Sequence, residues 1–230
     1  MYQINEFDNR QSLDNSFAEQ VAQLLTTAIE KKGKASIAVS GGSTPKGFFN
    51  ALSNKELAWD KVTITLADER WVDENSDASN TRLVKESLLQ NNASDATFFN
   101  LKITNELNKA TLEILNKDAA QILPLDVLIL GMGEDGHTAS LFPCSEQINE
   151  ALSLTNSAEL MSVQPKTAPH QRITFSLAAL LPSKNVFLHI CGESKEQVLQ
   201  KALSDENALE MPIRAFLHDD KLTTQVMFAS

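Results

Sequence analysis

Residues 126–143, with the sequence DVLILGMGEDGHTASLFP, decide the fold of this chain. The apolar run at 127–130 is short and is bounded by turn residues, which is typical of a buried strand. The glycine-rich turn at 131–136 follows it, and glycine permits backbone conformations that other residues avoid. The pattern therefore predicts a rigid strand that carries Asp135 and His137 at its C-terminal end. A carboxylate beside an imidazole is typical of an acid–base site.

The composition limits the class of protein. The chain has 230 residues, of which 42% are hydrophobic, and it shows no repeat, linker or composition break, so we expect one domain over 1–230. It has no apolar run of 18 residues and no N-terminal signal-peptide pattern. Its two cysteines, Cys144 and Cys191, fit neither a disulfide scaffold nor a metal site. We therefore expect a cytoplasmic enzyme that does not bind membranes.

The net charge of -10 argues against a nucleic-acid partner, because nucleic acids attract basic surfaces. It does not exclude a small anionic substrate. Such a substrate needs a local cluster of arginine, lysine and backbone N–H groups.

A second strand and turn, at 36–39 and 40–47, predict such a cluster. Thr44 is expected to be the N-cap of the next helix, and Pro45 its first residue. The free N–H groups of Gly41, Gly42 and Ser43 and the helix dipole would then form an anion site. The Walker pattern is absent, and an ordinary tight turn is the alternative interpretation.

The strand at 62–66 leads into the charged residues Asp68, Glu69 and Arg70. If the strand continues that far, alternation puts Asp68 and Arg70 on one side. Charges at a strand end are costly to bury unless they are paired or used. The alternative is an ion-paired surface turn. The polar loop at 73–79 is a candidate lid.

Strands and helices are expected to alternate over the whole chain. The sequence predicts helices at 12–32 (ending at Gly33), from an Asn80 cap to 89, at 105–121, up to 203, and at 212–217; further strands are expected at 96–101, 160–163, 186–190 and 225–229. This alternation predicts an α/β fold: a Rossmann-like, mainly parallel sheet with helices on both faces.

The C-terminal ends of these strands predict one site, because open α/β sheets bind ligands there. The Gly41 turn, the 68–70 segment and the 131–137 turn all follow strands. Arg172, on a later loop, and Lys195, after the strand at 186–190, would join Arg70 in a positive pocket.

A dinucleotide site is the main competing interpretation, because 131–136 matches G-x-G-x-x-G. Pro143 follows too soon for the helix that such a site needs, and Asp135 would repel a pyrophosphate. No metal-ligand spacing occurs, so no metal is expected. The other histidines, at 170, 189 and 218, are interpreted as structural.

Five segments together resemble the 6-phosphogluconolactonase family. They are SGGSTPKGFFNAL at 40–52, ADERWV at 67–72, NTRLVKESLL at 80–89, LGMGEDGHTASLFP at 130–143 and RITFSLAAL at 172–180. The related glucosamine-6-phosphate deaminases share a similar GxGxDGH turn. They continue with Asn-Glu-Pro and a catalytic glutamate, whereas this chain has SLFP at 140–143.

The resemblance implies hydrolysis of 6-phosphogluconolactone to 6-phosphogluconate, the second step of the oxidative pentose phosphate pathway. It implies the fold of the deaminases, a small phosphosugar lactone as the binding partner, and no cofactor. His137 would be catalytic, oriented by Asp135, with Asp68 and Arg70 beside the reacting sugar. The residues that would contact the phosphate or sugar are Gly41, Gly42, Ser43, Thr44, Arg172 and Lys195.

Three points stay open at this level. A deaminase or isomerase acting on an amino sugar phosphate is one alternative function, with Asp68 as its base. A sugar-phosphate sensor without catalytic activity is the other. The sequence does not set the oligomeric state, although a monomer is favoured.

Overall fold

Strands and helices alternate along the chain in the computed structural model, which describes residues Met1–Ser230. The strands are β1 (Tyr2–Phe7), β2 (Ala35–Val39), β3 (Val62–Leu66), β4 (Asp68–Arg70), β5 (Thr97–Phe99), β6 (Val127–Leu130), β7 (Leu160–Val163), β8 (Arg172–Phe175), β9 (Val186–Cys191) and β10 (Thr224–Ala229). The helices are α1 (Arg10–Lys32), α2 (Lys46–Ser53), α3 (Asn80–Ser87), α4 (Lys109–Ala119), α5 (Ile148–Ala151), α6 (Leu177–Leu180), α7 (Glu193–Leu203) and α8 (Arg214–Leu217).

Seven of the strands form one parallel sheet, in the order β1-β10-β9-β6-β2-β3-β5. The other three form a small antiparallel sheet in the order β4-β8-β7. The predicted α/β fold with a mainly parallel sheet is therefore confirmed. The small antiparallel sheet is an addition to it.

Both faces of the central sheet are covered, as the sequence predicted. Neighbouring side chains on a strand point to opposite faces of the sheet. Because every residue of β2 and β6 is buried, both faces must be covered there. A single cluster of 58 buried hydrophobic residues forms the core. This core is compatible with one domain over 1–230, which stays a prediction. No helix is long and apolar enough to cross a bilayer.

Helix α1 ends where the sequence predicted and begins two residues earlier. The side chain of Asn9 accepts a hydrogen bond from the N–H of Ser12, and the Ser12 side chain completes a capping box. Gly33 ends the helix with a φ of 77°, a left-handed conformation that favours glycine.

The start of α2 differs from the prediction. Pro45 occupies the N-cap position without a side-chain cap bond, and Thr44 lies one residue outside it. The carboxylate of Asp14 on α1 lies against this first turn, since a Cβ on Gly47 would lie 2.0 Å from Asp14 Oδ2.

The cap of α3 was also predicted at the wrong residue. Ser79, rather than Asn80, accepts a hydrogen bond from the N–H of Arg82. The Glu69 carboxylate then accepts the N–H groups of Asn80 at 2.9 Å and Thr81 at 2.6 Å. Glu69 is 1% exposed, so this buried carboxylate ties β4 to the positive end of α3.

The segment 68–70 does not continue β3, so the condition under which the sequence put Asp68 and Arg70 on one side is not met. It is β4, a separate strand that pairs antiparallel with β8, with Arg70 opposite Arg172. Alternation along β4 still puts Asp68 and Arg70 on one side, and Glu69 points the other way towards α3.

Three further boundaries differ from the sequence predictions. The strand expected at 96–101 is limited to β5, and the helix expected at 105–121 begins only after its Asn108 cap. Strand β1 was not predicted at all. The strands expected at 160–163, 186–190 and 225–229 are confirmed as β7, β9 and β10, with ends that agree within one residue.

Candidate active site

Two adjoining cavities lie at the C-terminal ends of β2 and β6. The first, of about 130 Å³, is called the His137 cavity here, and its lining includes His137, Gly41, Asp68, Arg70 and Arg172. The second, of about 210 Å³, is called the loop cavity, and its lining includes residues 40–45, His189 and Lys195. They share Ser40, Gly41, Gly131 and Met132.

A larger groove of about 680 Å³ lies at the opposite end of the sheet, before β9 and β10. Its charged lining residues are Lys184, Asp219 and Lys221, and none of the predicted site residues reaches it. The volume of a cavity therefore does not identify the candidate active site. The two smaller cavities are the candidate site, because the predicted site residues line them.

The turn after β6 fixes the position of His137. The Gly133 N–H donates to the His137 carbonyl at 2.9 Å, and the His137 N–H donates to Asp135 Oδ1 at 3.1 Å. The same carboxylate oxygen lies 2.5 Å from His137 Nδ1. Gly133 has no room for a side chain, because a Cβ there would lie 2.1 Å from Nδ1. With Nδ1 engaged, Nε2 is the ring nitrogen left for a substrate or water.

Asp135 stands behind His137 and does not line either cavity. Burial raises the pKa of Asp135, but the hydrogen bond and charge of His137 more than reverse this, so the pKa is lowered. An ionised carboxylate that accepts from Nδ1–H holds the imidazole in the tautomer with a free Nε2.

Two arginines stand side by side in the His137 cavity because β4 and β8 pair with Arg70 opposite Arg172. Arg70 donates to the Ala78 carbonyl at 2.8 Å, and Arg172 Nη1 lies 3.8 Å from Asp68 Oδ2. The Nε–H groups of both arginines are buried and have no partner. Burial lowers the pKa of Arg172, and the charge of Asp68 opposes that effect. Such unpaired buried donors suit a ligand that carries oxygen acceptors.

Phe142 and Ser140 are site residues that the sequence analysis did not single out. The Phe142 ring stacks on His137 with centroids 4.0 Å apart, and the Arg172 guanidinium lies 5.0 Å from its centroid. The Ser140 hydroxyl donates to Asp68 Oδ2 at 2.5 Å. Both residues belong to the SLFP segment at 140–143, whose only signal in the sequence is its difference from the Asn-Glu-Pro segment of the deaminases.

The loop cavity presents unused backbone donors. The N–H groups of residues 41–44 make no hydrogen bond within the chain, and they precede the first turn of α2. Lys195 Nζ lies 2.6 Å from Glu134, whose side chain is 68% exposed. Asn80 packs so closely on Gly41 that a Cβ there would lie 1.8 Å from its Oδ1. Free N–H groups at a helix N-terminus, with a lysine nearby, are the groups that suit an anion, and their role as an anion site stays a prediction.

The structure therefore distributes the predicted residues over two adjoining cavities. His137, Asp68, Arg70, Arg172 and Gly41 meet in the His137 cavity, and Gly42, Ser43, Thr44 and Lys195 meet beside it in the loop cavity. The roles given to these residues stay predictions. No group of three or more His, Cys, Asp or Glu side chains is arranged to hold a metal ion.

The loop at 73–79 borders the site and is tied to α3. Arg82 donates to the Asn75 carbonyl at 2.9 Å and to Asp77 at 2.7 Å, and Lys85 pairs with Glu74. Its proposed role as a lid stays a prediction.

Known proteins resemble this chain over almost its whole length. The family described as glucosamine-6-phosphate isomerases/6-phosphogluconolactonase matches residues 8–226. The chain is 42% identical to a 6-phosphogluconolactonase of Rhizobium meliloti over 224 residues, covering 97% of each protein. It is 41% identical to one of Neisseria meningitidis over 234 residues, covering 100% of both.

Solved structures agree with this. The crystal structure of a 6-phosphogluconolactonase from Shewanella baltica OS155 has a TM-score of 0.94 at 42% identity, covering 100% of this chain and 98% of the other. A monomeric glucosamine-6-phosphate deaminase has a TM-score of 0.78 at 18% identity, which shows the shared fold alone. The chain belongs to the family of glucosamine-6-phosphate isomerases and 6-phosphogluconolactonases.

Proposed function

We propose that the chain hydrolyses 6-phospho-D-glucono-1,5-lactone to 6-phospho-D-gluconate. Relatives named 6-phosphogluconolactonase, about 41–42% identical over nearly the full length, support this reaction. The observation that carries the mechanism is the contact of 2.5 Å between His137 Nδ1 and Asp135, which leaves Nε2 free in the His137 cavity.

A lactone is an activated ester, so the reaction needs no covalent nucleophile. Neutral His137 accepts a proton at Nε2 from a water molecule as that water attacks the lactone carbonyl carbon. Asp135 holds the ring in position and stabilises the imidazolium that forms. Asp135 itself stays ionised, because its pKa is lowered. The protonated His137 then donates to the departing ring oxygen.

The tetrahedral intermediate carries an oxyanion, and Arg70 is the donor that we assign to it. The amides of Gly133 and Gly136 are bonded within their own turn, so they are not available. Arg70 has a buried Nε–H without a partner beside the same cavity. A fixed donor of this kind, already removed from water, stabilises negative charge that develops in the transition state.

The phosphate is assigned to the loop cavity, where the N–H groups of residues 41–44 and Lys195 are available. Arg172, in the adjoining cavity, contacts the phosphate or the sugar. The phosphate is remote from the reacting carbon, and it serves as a handle that positions the lactone against His137.

The decisive experiment measures acid release from freshly made lactone with and without the protein, corrected for spontaneous hydrolysis. We expect His137→Ala to lower kcat by about 10²- to 10⁴-fold with a modest change in KM. His170→Ala is the matched control, because His170 is exposed and lines neither cavity. Unchanged turnover by the purified His137→Ala protein contradicts the assignment.

Two further measurements separate the alternatives. Ammonia release from glucosamine 6-phosphate would identify a deaminase, and ligand binding without acid release would identify a sensor. We do not expect ammonia release, because residues 140–143 are SLFP where the deaminases continue with Asn-Glu-Pro. We do not expect a sensor, because the Asp135–His137 pair is intact. A cytoplasmic location and a monomeric state stay predictions, and sedimentation tests the second.

A further inference from the structure

Asp14 on α1 and His189 on β9 form a buried polar pair that the proposed mechanism does not use. They are 6% and 4% exposed. Asp14 Oδ1 and His189 Nε2 are 3.9 Å apart, which is too long for a hydrogen bond. That oxygen and both ring nitrogens of His189 have no partner at all. Three unpaired buried polar atoms in one place are costly, so they require an explanation.

The other carboxylate oxygen of Asp14 lies against the first turn of α2. Gly47 leaves no room for a side chain, because a Cβ there would lie 2.0 Å from Asp14 Oδ2. Pro45 supplies no cap bond of its own. Asp14, from a different helix, therefore places its carboxylate at the end of α2 where a negative charge is favourable.

The same end of α2 adjoins the loop cavity. The free N–H groups of residues 41–44 lead into it, and His189 lines the cavity below them. The His189 ring is held edge-on between Phe17 and Phe48, with centroids 5.4 Å and 5.7 Å away. A phosphate in the loop cavity and the Asp14 carboxylate thus approach one helix end from two sides. Two anions so placed repel each other.

The surrounding charges set the protonation state of the pair. Burial, and second the positive charge of Arg10, lower the pKa of His189 to about 4. Burial raises the pKa of Asp14, while Arg10 and the Phe48 N–H oppose that effect. The cationic side chains of Lys46, on α2, and Lys195, on α7, belong to the same end of the sheet. His189 is therefore neutral near pH 7 until an anion arrives.

We propose that Asp14 and His189 are positioning residues that hold the first turn of α2 for the substrate phosphate and take up a proton when it binds. The proton comes from solvent and is held on His189. The imidazolium then donates from Nε2 to Asp14 Oδ1, which gives these two of the three unpaired atoms a partner. The pair changes from one negative charge to none, so its repulsion of the phosphate is removed. This inference rests on the proposed function, because it requires the phosphate in the loop cavity.

Calorimetric titration with 6-phosphogluconate near pH 7, in two buffers that differ in ionisation enthalpy, measures the proton uptake. We expect the wild-type protein to take up a measurable fraction of a proton per site when the ligand binds. Asp14→Asn and His189→Gln should lose this uptake and raise KM more than they lower kcat. Glu19→Gln, which changes an exposed carboxylate on the same helix, is the matched control.

Each outcome has a distinct meaning. No binding of 6-phosphogluconate overturns the phosphate site, and the inference with it. Binding without uptake, or with equal uptake in wild type and both variants, overturns this inference and leaves lactone hydrolysis intact. Asp14→Asn keeps the size and shape of the side chain beside Gly47, so it decides the question alone if His189→Gln does not fold.

Discussion

Replacing Asp135 by asparagine separates the charge of this residue from its role in orienting His137. Asp135 Oδ1 accepts both the backbone N–H of His137, at 3.1 Å, and the ring Nδ1–H, at 2.5 Å. Because a backbone N–H needs an acceptor, the amide oxygen of asparagine must take the same place. The amide NH2 then points away, and the ring keeps its tautomer. Asp135→Asn therefore removes the negative charge and little else, whereas Asp135→Ala removes the charge and the contact.

The expected decrease in kcat depends on how exposed the side chains of His137 and Asp135 are. A hydrogen bond to an ionised group contributes about 1.5–3 kcal/mol. The side chains of His137 and Asp135 are 28% and 39% exposed, so solvent screening reduces the charge contribution to about 1–1.5 kcal/mol. That corresponds to a decrease in kcat of about 5- to 10-fold for Asp135→Asn. Asp135→Ala also loses the orientation of the ring, and Phe142 stacking retains part of it. We expect a decrease of about 30- to 100-fold.

The assay is acid release at saturating lactone, with spontaneous hydrolysis subtracted. KM should stay within about twofold in both variants, because Asp135 lines neither cavity. Asp205→Asn is the matched control: its carboxylate also accepts the N–H two residues on, at 3.0 Å, but far along the chain from the site. An asparagine variant as impaired as the alanine variant, or two variants with full activity, would refute the reasoning.

Three more outcomes are expected from single substitutions. Asp126→Asn should lower the free energy of unfolding by about 2 kcal/mol, because this 1% exposed carboxylate forms two ion pairs at 2.9 Å. Burial raises the pKa of Asp126, but its lysine partners more than reverse this; thermal melts of variant and wild type should therefore differ at neutral pH and converge below about pH 4. Arg172→Ala should raise KM for the lactone by about 10- to 100-fold in initial-rate measurements, and an unchanged KM contradicts its assignment. Gly41→Ala should lower kcat/KM at least about tenfold, because the added Cβ would lie 1.8 Å from Asn80 Oδ1. Gly33→Ala is the comparison: its Cβ meets no atom within 4 Å, and only the left-handed φ of 77° should lower the free energy of unfolding, by about 1 kcal/mol.

The parts of the site that a single segment builds could be predicted from the sequence. The turn at 131–137 contains its own strand, glycines and acid–base pair, so the contact of Asp135 with His137 follows from a spacing of two residues. The loop at 40–45 is local in the same way. Periodicity and turn residues carry this information directly.

The parts that need two distant segments could not be predicted. Arg70 faces Arg172 because two strands of three and four residues pair, and strands so short show no periodicity. Pro45, rather than Thr44, is the N-cap of α2, and a buried carboxylate from another helix, Asp14, packs against its first turn. Such competition between elements is absent from any local pattern.

Strand β1 was missed for a different reason. It lies at the edge of the sheet, and most of its residues are exposed, so YQINEF lacks the apolar run of a buried strand. The sequence signal for an edge strand is weak because its stability comes from pairing with one neighbour, rather than from burial on both faces.

That neighbour is β10, and the pairing has a consequence for how the chain folds. Asn5 contacts Met227 across 222 positions, so β1 has no partner until nearly all of the polypeptide has been made. Such long-range pairing delays folding more than it affects stability, since the entropy of loop closure grows only slowly with length. During synthesis, the chain can assemble β2, β3 and β6 early, while β1 waits for the last strand to dock beside β9. We therefore expect the final step of folding to close the sheet at the edge remote from β5.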